Sequence, residues 1–182
     1  MRVVVVPYDS SWPERFELVR AQLAKALAAV PVVAIEHVGS TSVRGLAAKP
    51  IIDIDVIVAR PHVRGAIDAL EVSGYLCLGE MGVPDRHAFR APDDGIRRNV
   101  YVTVEGCLSL RNHLGARDVL RSDPSLRDQY GALKIQLSER DYEADVDIDG
   151  YVADKSHLLQ RILERAGLTP DELAEIDAIN RL

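Results

Sequence analysis

Cysteine is scarce in this 182-residue chain, aromatics are few, basic residues are outnumbered and no apolar run is long. Each shortage closes a class of explanation. Cys77 and Cys107 cannot build a disulfide framework and lack the spacing of a metal site, so a reduced, cytoplasmic setting is expected. Apolar runs such as Val3–Pro7 fall far short of the ~20 residues of a membrane span, and the N-terminus lacks a secretory apolar segment. No membrane partner is expected. The 22 basic and 28 acidic residues leave a formal charge of 22 − 28 = −6, so broad nucleic-acid binding would need a local basic patch. An apolar fraction of 47% and a charged fraction of 27% describe an ordinary globular chain and exclude disorder.

Periodicity and punctuation order the elements. Val3–Val6 reads as extended. Ser10 or Ser11 can cap a helix that opens on Pro13 and Glu14 and runs to about Val30, where Pro31 breaks it. Val32–Val38 is a strand ending at Gly39. Ile51–Val58 is a second strand, apolar except at Asp53 and Asp55, as a buried central strand would be. Pro61–Ser73 predicts a helix stopped by Gly74, and Tyr75–Gly79 a strand. His87–Arg90 and Asn99–Glu105 flank a turn-rich segment and predict a hairpin. After Gly106 the pattern turns helical: about Ser109–Arg121, Pro124–Arg140, Tyr151–Arg165, then a short helix from Thr169-Pro170 to about Asn180. The fold class is α+β, a small mixed sheet in front of a helical C-terminal part.

The chemistry concentrates in Glu36–Val58. Strand side chains alternate, so Asp53 and Asp55 share one face, roughly 7 Å apart, while Ile52, Ile54 and Val56 point the other way. Two carboxylates on so apolar a strand are costly unless paired or bound to a cation. Mg²⁺, or Mn²⁺, would satisfy them and bring a phosphorylated ligand. Gly39 permits close backbone approach to a phosphate, Ser40, Thr41 and Ser42 add hydroxyls, and Lys49 adds a mobile positive charge. The competing account is an ion pair of the aspartates with Lys49, Arg44 or a later arginine, with the serines merely shaping a turn.

A Gly-Ser turn followed by a strand bearing Asp-x-Asp resembles the signature of the nucleotidyltransferase superfamily. More narrowly, the chain resembles the GrpB-like family. The resemblance rests on Tyr8-Asp9 with Trp12-Pro13, His37–Val43, Gly45–Ile54, Gly74-Tyr75, Arg117-Asp118 with Leu120-Arg121, Tyr130 with Leu133-Lys134, and Tyr151 with Lys155. It implies a single nucleotidyltransferase-fold domain over residues 1–166, with 167–182 as a helical tail. It also implies a site in which Asp53 and Asp55 are catalytic and hold Mg²⁺ or Mn²⁺, while Gly39, Ser40, Ser42 and Lys49 bind a nucleoside triphosphate. The family's substrate is not established, and some members are fused to dephospho-coenzyme A kinase.

One departure bears on activity. Active nucleotidyltransferases usually add a third carboxylate from a neighbouring strand. Here the matching positions carry Asn99 and Tyr101, where the family pattern tends to His-x-His, and Glu105 lies at the strand's end. A non-catalytic binder of nucleotides or coenzyme A precursors, or an interaction module with a vestigial pocket, therefore stays open. His37 is a candidate phosphate or turn ligand, with plain packing as its alternative. Arg86, His87, Arg90, Arg97 and Arg98 either form a phosphate wall or, as the favoured reading, a solvated charged hairpin edge, and Arg117, Arg121, Lys134 and Lys155 either converge on the cleft or form surface pairs. Asp145, Asp147, Asp149 and Gly150 open like a calcium loop, but Ser156 stands at its twelfth position, so the segment reads as an acidic connector. Trp12 reads as an anchor for the N-terminal segment.

Overall fold

A computed structural model describes residues 4–139 and 148–180 of the chain. Val6 makes an isolated bridge to Ala48, and helix α1 then spans Trp12–Ala26. Its cap differs from expectation. The Ser11 backbone is already helical and its side chain makes no cap bond, and Asp9 instead accepts the Ser11 N–H at 2.8 Å. The helix stops at Ala26, short of Val30, with Leu27 as its C-cap.

Strands β1 (Val32–Val38) and β2 (Ile52–Val58) pair antiparallel. Helix α2 (Val63–Val72) leads to β3 (Leu76–Gly79), and β4 (Arg86–Arg90) turns back through the hairpin to β5 (Arg98–Val104). The sheet order is β1-β2-β5-β4-β3, with β2 and β5 parallel and the other neighbours antiparallel. The molecule is α+β, as expected, with a small mixed sheet flanked by helices.

The sheet has two different faces. Ile52, Ile54 and Val56 of β2, with Val100 and Val102 of β5, pack against Trp12, Phe16 and Leu23 of α1 and Leu70 of α2. Full burial of each such side chain contributes roughly 1.5–3 kcal/mol, so this face fixes the register. The opposite face carries Asp53, Asp55, Asn99 and Tyr101, and it is covered by the C-terminal helices. These are α3 (Leu108–Ser122), α4 (Pro124–Glu139), α5 (Ile148–Arg165) and α6 (Pro170–Asn180). Val43 and Leu46, just past the Gly-Ser turn, pack with Leu120, Leu126, Leu158 and Ile162, so the turn and the helical part share a core. Helix α6 docks through Leu173 and Ile176 onto Leu163 and Leu168. Most of the acidic connector (residues 140–147) and the side chain of Lys155 lie outside the described residues. No helix among the described residues is long and apolar enough to cross a membrane.

Candidate functional site

The site begins where β1 ends. Gly39 adopts φ 66°, ψ −174°, a region that L side chains essentially avoid. A Cβ at this position would stand 2.3 Å from Asp53 Oδ2, so the turn and the carboxylate approach as closely as glycine allows. Ser40–Ser42 then forms one tight helical turn. The serines divide their work. The Ser42 hydroxyl donates to the Gly39 carbonyl at 2.6 Å and closes the turn, while the Ser40 hydroxyl lies 2.6 Å from Lys134 Nζ of α4. Ser42, expected among the phosphate ligands, is buried and spends its donor on the backbone.

The floor of the site is β2. Asp53 faces Asn99 and Asp55 faces Tyr101 across the parallel pair, so the strand parity is as expected. Asn99 Nδ2 donates to Asp53 Oδ1 at 2.8 Å. Burial pushes the Asp53 carboxyl above the usual carboxylate range, and the charge of Asp55 adds to that; Asn99, His113 and Lys134 oppose it. Asp55 is fully buried. Its Oδ2 is 2.8 Å from His113 Nδ1 of α3, and its Oδ1 has no hydrogen-bond partner among the described residues. The partners of the two carboxylates are thus Asn99 and His113, not Lys49 or Arg44. Lys49 is exposed on the loop before β2, and Glu105 is exposed past the end of β5, where its N–H donates to Val58 at the end of β2 away from Asp53. Among the described residues neither is a hydrogen-bond partner of Asp53 or Asp55.

Helix α3 supplies a cationic stripe. His113, Arg117 and Arg121 are spaced four residues apart and so share one helix face. Arg117 donates to Glu36 at 2.6 Å and to the His37 carbonyl at 3.2 Å, while Arg121 donates to the Ser42 carbonyl at 2.9 Å. Two of the expected cleft cations therefore hold the turn by its backbone, and the third, Lys134, reaches its hydroxyl. His37 sits on the other sheet face, paired with Ile54 and stacked on Phe16 at 4.7 Å, with Nε2 3.0 Å from Thr41 Oγ1. It packs and does not face the site. Burial, then the charges of Arg121 and Arg117, lower its pKa to about 4.

A cavity of about 110 Å³ opens beside the turn, lined by Gly39, Ser40, His113, Arg117 and Tyr130 among others. That is below the roughly 300–1,000 Å³ of a small-molecule pocket, so it suits a phosphate group rather than a whole nucleotide. Among the described residues no group of three or more His, Cys, Asp or Glu is arranged to hold a metal ion. The donor set of Asp53 and Asp55 nevertheless fits a hard divalent cation. Both ligands are carboxylates, and a fully buried carboxylate oxygen without a donor is unfavourable unless a cation completes it.

Comparison with known proteins places these features in a family. A family model described as GrpB protein matches residues 2–165. A UPF0157 protein of Halalkalibacterium halodurans is 33% identical over 169 residues, covering 92% of this chain and 84% of that protein. The crystal structure of conserved protein GrpB from Enterococcus faecalis superposes with a TM-score of 0.74 at 32% identity, covering 90% of this chain and 96% of that one. A dephospho-CoA kinase of Mycolicibacterium paratuberculosis is 28% identical over 195 residues, covering 90% of this chain but 46% of its own length.

Proposed function

The chain belongs to the GrpB family, and from that premise we propose that it is a cytoplasmic nucleotidyltransferase-type protein that binds a nucleoside triphosphate together with Mg²⁺ or Mn²⁺. Asp53 and Asp55 would hold the cation, whose contribution when bound is to neutralise charge on the phosphates. The Ser40 hydroxyl and Lys134, across the gap from the carboxylates, bind the phosphates, and Gly39 lets the turn approach them. Arg117 and Arg121 keep the turn's carbonyls tied back and its shape fixed. In the reaction an acceptor hydroxyl oxygen bonds to the α-phosphorus, the bond from that phosphorus to the bridging oxygen breaks, pyrophosphate leaves, and the hydroxyl proton passes to water. Positioning and charge neutralisation supply most of the acceleration in such chemistry.

The observation that carries this proposal is Asp55 Oδ1, fully buried and without a donor among the described residues, beside a second carboxylate. One observation favours binding without turnover: the positions facing the aspartates on β5 are Asn99 and Tyr101, and the extra group on Asp55 is a histidine. Similarity to a longer dephospho-CoA kinase suggests coenzyme A precursors as the ligands for that case. A thermal-shift panel of nucleotides and coenzyme A precursors, with and without Mg²⁺ or Mn²⁺, tests both. Cation-dependent stabilisation with pyrophosphate release supports transfer, and stabilisation without release supports binding alone. Indifference to every combination overturns both.

A further inference from the structure

Arg86 does not stand on a solvated hairpin edge. It pairs in register with Thr103, which sets it on the sheet face that carries Tyr101, Asp55 and Asp53. Its guanidinium lies over the Tyr101 ring, 4.7 Å from the centroid. Its Nε is buried with no hydrogen-bond partner among the described residues. The neighbouring carboxylate, Asp85, is taken by both terminal nitrogens of Arg60, at 2.6 and 2.7 Å. A guanidinium has five donors and stays charged, and a ring face satisfies none of the N–H groups, so partial burial without an anion leaves it incomplete.

Beside it is a cavity of about 200 Å³, lined by Arg86, Ser109, Asn112, His113, Glu175 and Ile176 among others. The first turn of the 15-residue helix α3 forms one wall, with the Cys107 thiol, at its cap, against the Ser109 and Leu110 N–H groups. That end of the helix carries partial positive charge, which adds to the charge of Arg86. Two carboxylates also line it: Asp85, held by Arg60, and Glu175, exposed on α6. Asn112 and His113 also line the smaller cavity at Gly39 and Ser40, so the two spaces share a wall.

We propose that this second cavity is an oxyanion site in which Arg86 and the first turn of α3 hold the phosphate or carboxylate of a small metabolite. If a nucleotide binds at Gly39–Ser40 as proposed above, this is the place for the anionic group of the acceptor, but the anion site does not depend on that reading. The cavity volume fits a small anionic group, and the net charge of −6 opposes a polyanionic polymer.

The test follows the Arg86 Nε–H resonance by ¹⁵N NMR in the full-length chain, titrated with inorganic phosphate and separately with succinate. A saturable shift with phosphate assigns a phosphate ligand, and one with succinate alone assigns a carboxylate. Arg86→Gln should abolish the anion's thermal stabilisation, whereas Arg90→Gln, an exposed arginine on the same strand, should keep it. In Asp53→Asn the shift of Arg86 should persist even where the response to nucleotide and Mg²⁺ is lost, which separates this site from the other. A resonance unmoved by either anion in the wild-type chain overturns the proposal whether or not Arg86→Gln folds. So does an Arg86→Gln variant stabilised as strongly as wild type.

Discussion

Replacing Gly39 by alanine perturbs the site at its tightest contact. Two costs combine. The backbone at φ 66°, ψ −174° lies in a region essentially reserved for glycine, and holding another residue there costs about 1–3 kcal/mol. The new methyl would also stand 2.3 Å from Asp53 Oδ2, 2.9 Å from its Cγ and 3.0 Å from its Cβ, so the turn or the aspartate must move. Asp53 is held on a central strand with Asn99 on its other oxygen, so the turn is the element that gives. A total of about 3 kcal/mol is expected, which for a domain of this size lowers the melting temperature by roughly 6–12 °C. Gly45→Ala is the control. Gly45 also has positive φ, 85°, but a Cβ there meets only the Arg127 guanidinium at 3.4 Å, so that variant carries strain without collision. Scanning calorimetry of the two variants, with and without nucleotide and Mg²⁺, separates the terms. Gly39→Ala should melt well below Gly45→Ala and lose the ligand response. If the two melt together and both keep the response, the close approach of turn and carboxylate does not matter to the site.

Three further outcomes are expected. Asp53→Asn should leave the ligand-free protein at least as stable as wild type, because burial and the charge of Asp55 already oppose ionisation there, and it should lose the Mg²⁺-dependent response; a large fall in melting temperature would show instead that the charge is structural. His113→Ala removes the donor to Asp55 Oδ2 and should cost about 1–3 kcal/mol in urea denaturation, with added Mg²⁺ restoring part of it; an unchanged midpoint would contradict the role given to this pair. His37 titrates at about 4 in the folded chain against 6.5 in the unfolded one, so the unfolded state binds the proton first as pH falls. Stability should therefore drop between pH 6.5 and about 4, by up to about 3 kcal/mol, and His37→Gln should flatten that part of the profile; identical profiles would refute the assignment.

Much of the sheet side of the site is legible in sequence because strand periodicity is local. Alternation along Ile52–Val58 places both aspartates on one face, and the same rule applied to β5 sets Asn99 and Tyr101 opposite them. Applied to β1 it also separates Glu36 from His37, which is why the histidine packs on Phe16 while Glu36 meets Arg117. The helix side is less legible. His113 lies 58 residues from Asp55, and the distance is closed by tertiary packing that no local pattern encodes. A signal did exist, in the four-residue spacing of His113, Arg117 and Arg121, which marks one polar stripe on a helix whose Leu120 packs with Leu158 and Ile162 of α5. Lys49 shows the limit of adjacency: nearness in sequence to Asp53 says nothing of direction, and the residue lies exposed on its loop.

The dependence of the Gly39 turn on α3 and α4 sets an order of assembly during synthesis. All five strands are made once the ribosome has passed Val104, whereas Arg117, Arg121 and Lys134 are still to come. At roughly 5–20 residues per second the sheet has a few seconds in which to pair before its cations emerge. In that interval Asp53 and Asp55 stand on a half-covered face, open to water, and the carbonyls of His37 and Ser42 have no arginine to accept from. Helix α3 closes over Asp55 and brings those arginines, and α4 then delivers the lysine to Ser40. A nascent chain stalled between the two helices would hold both carboxylates and lack Lys134, so the Ser40–Lys134 contact forms only in the last third of translation.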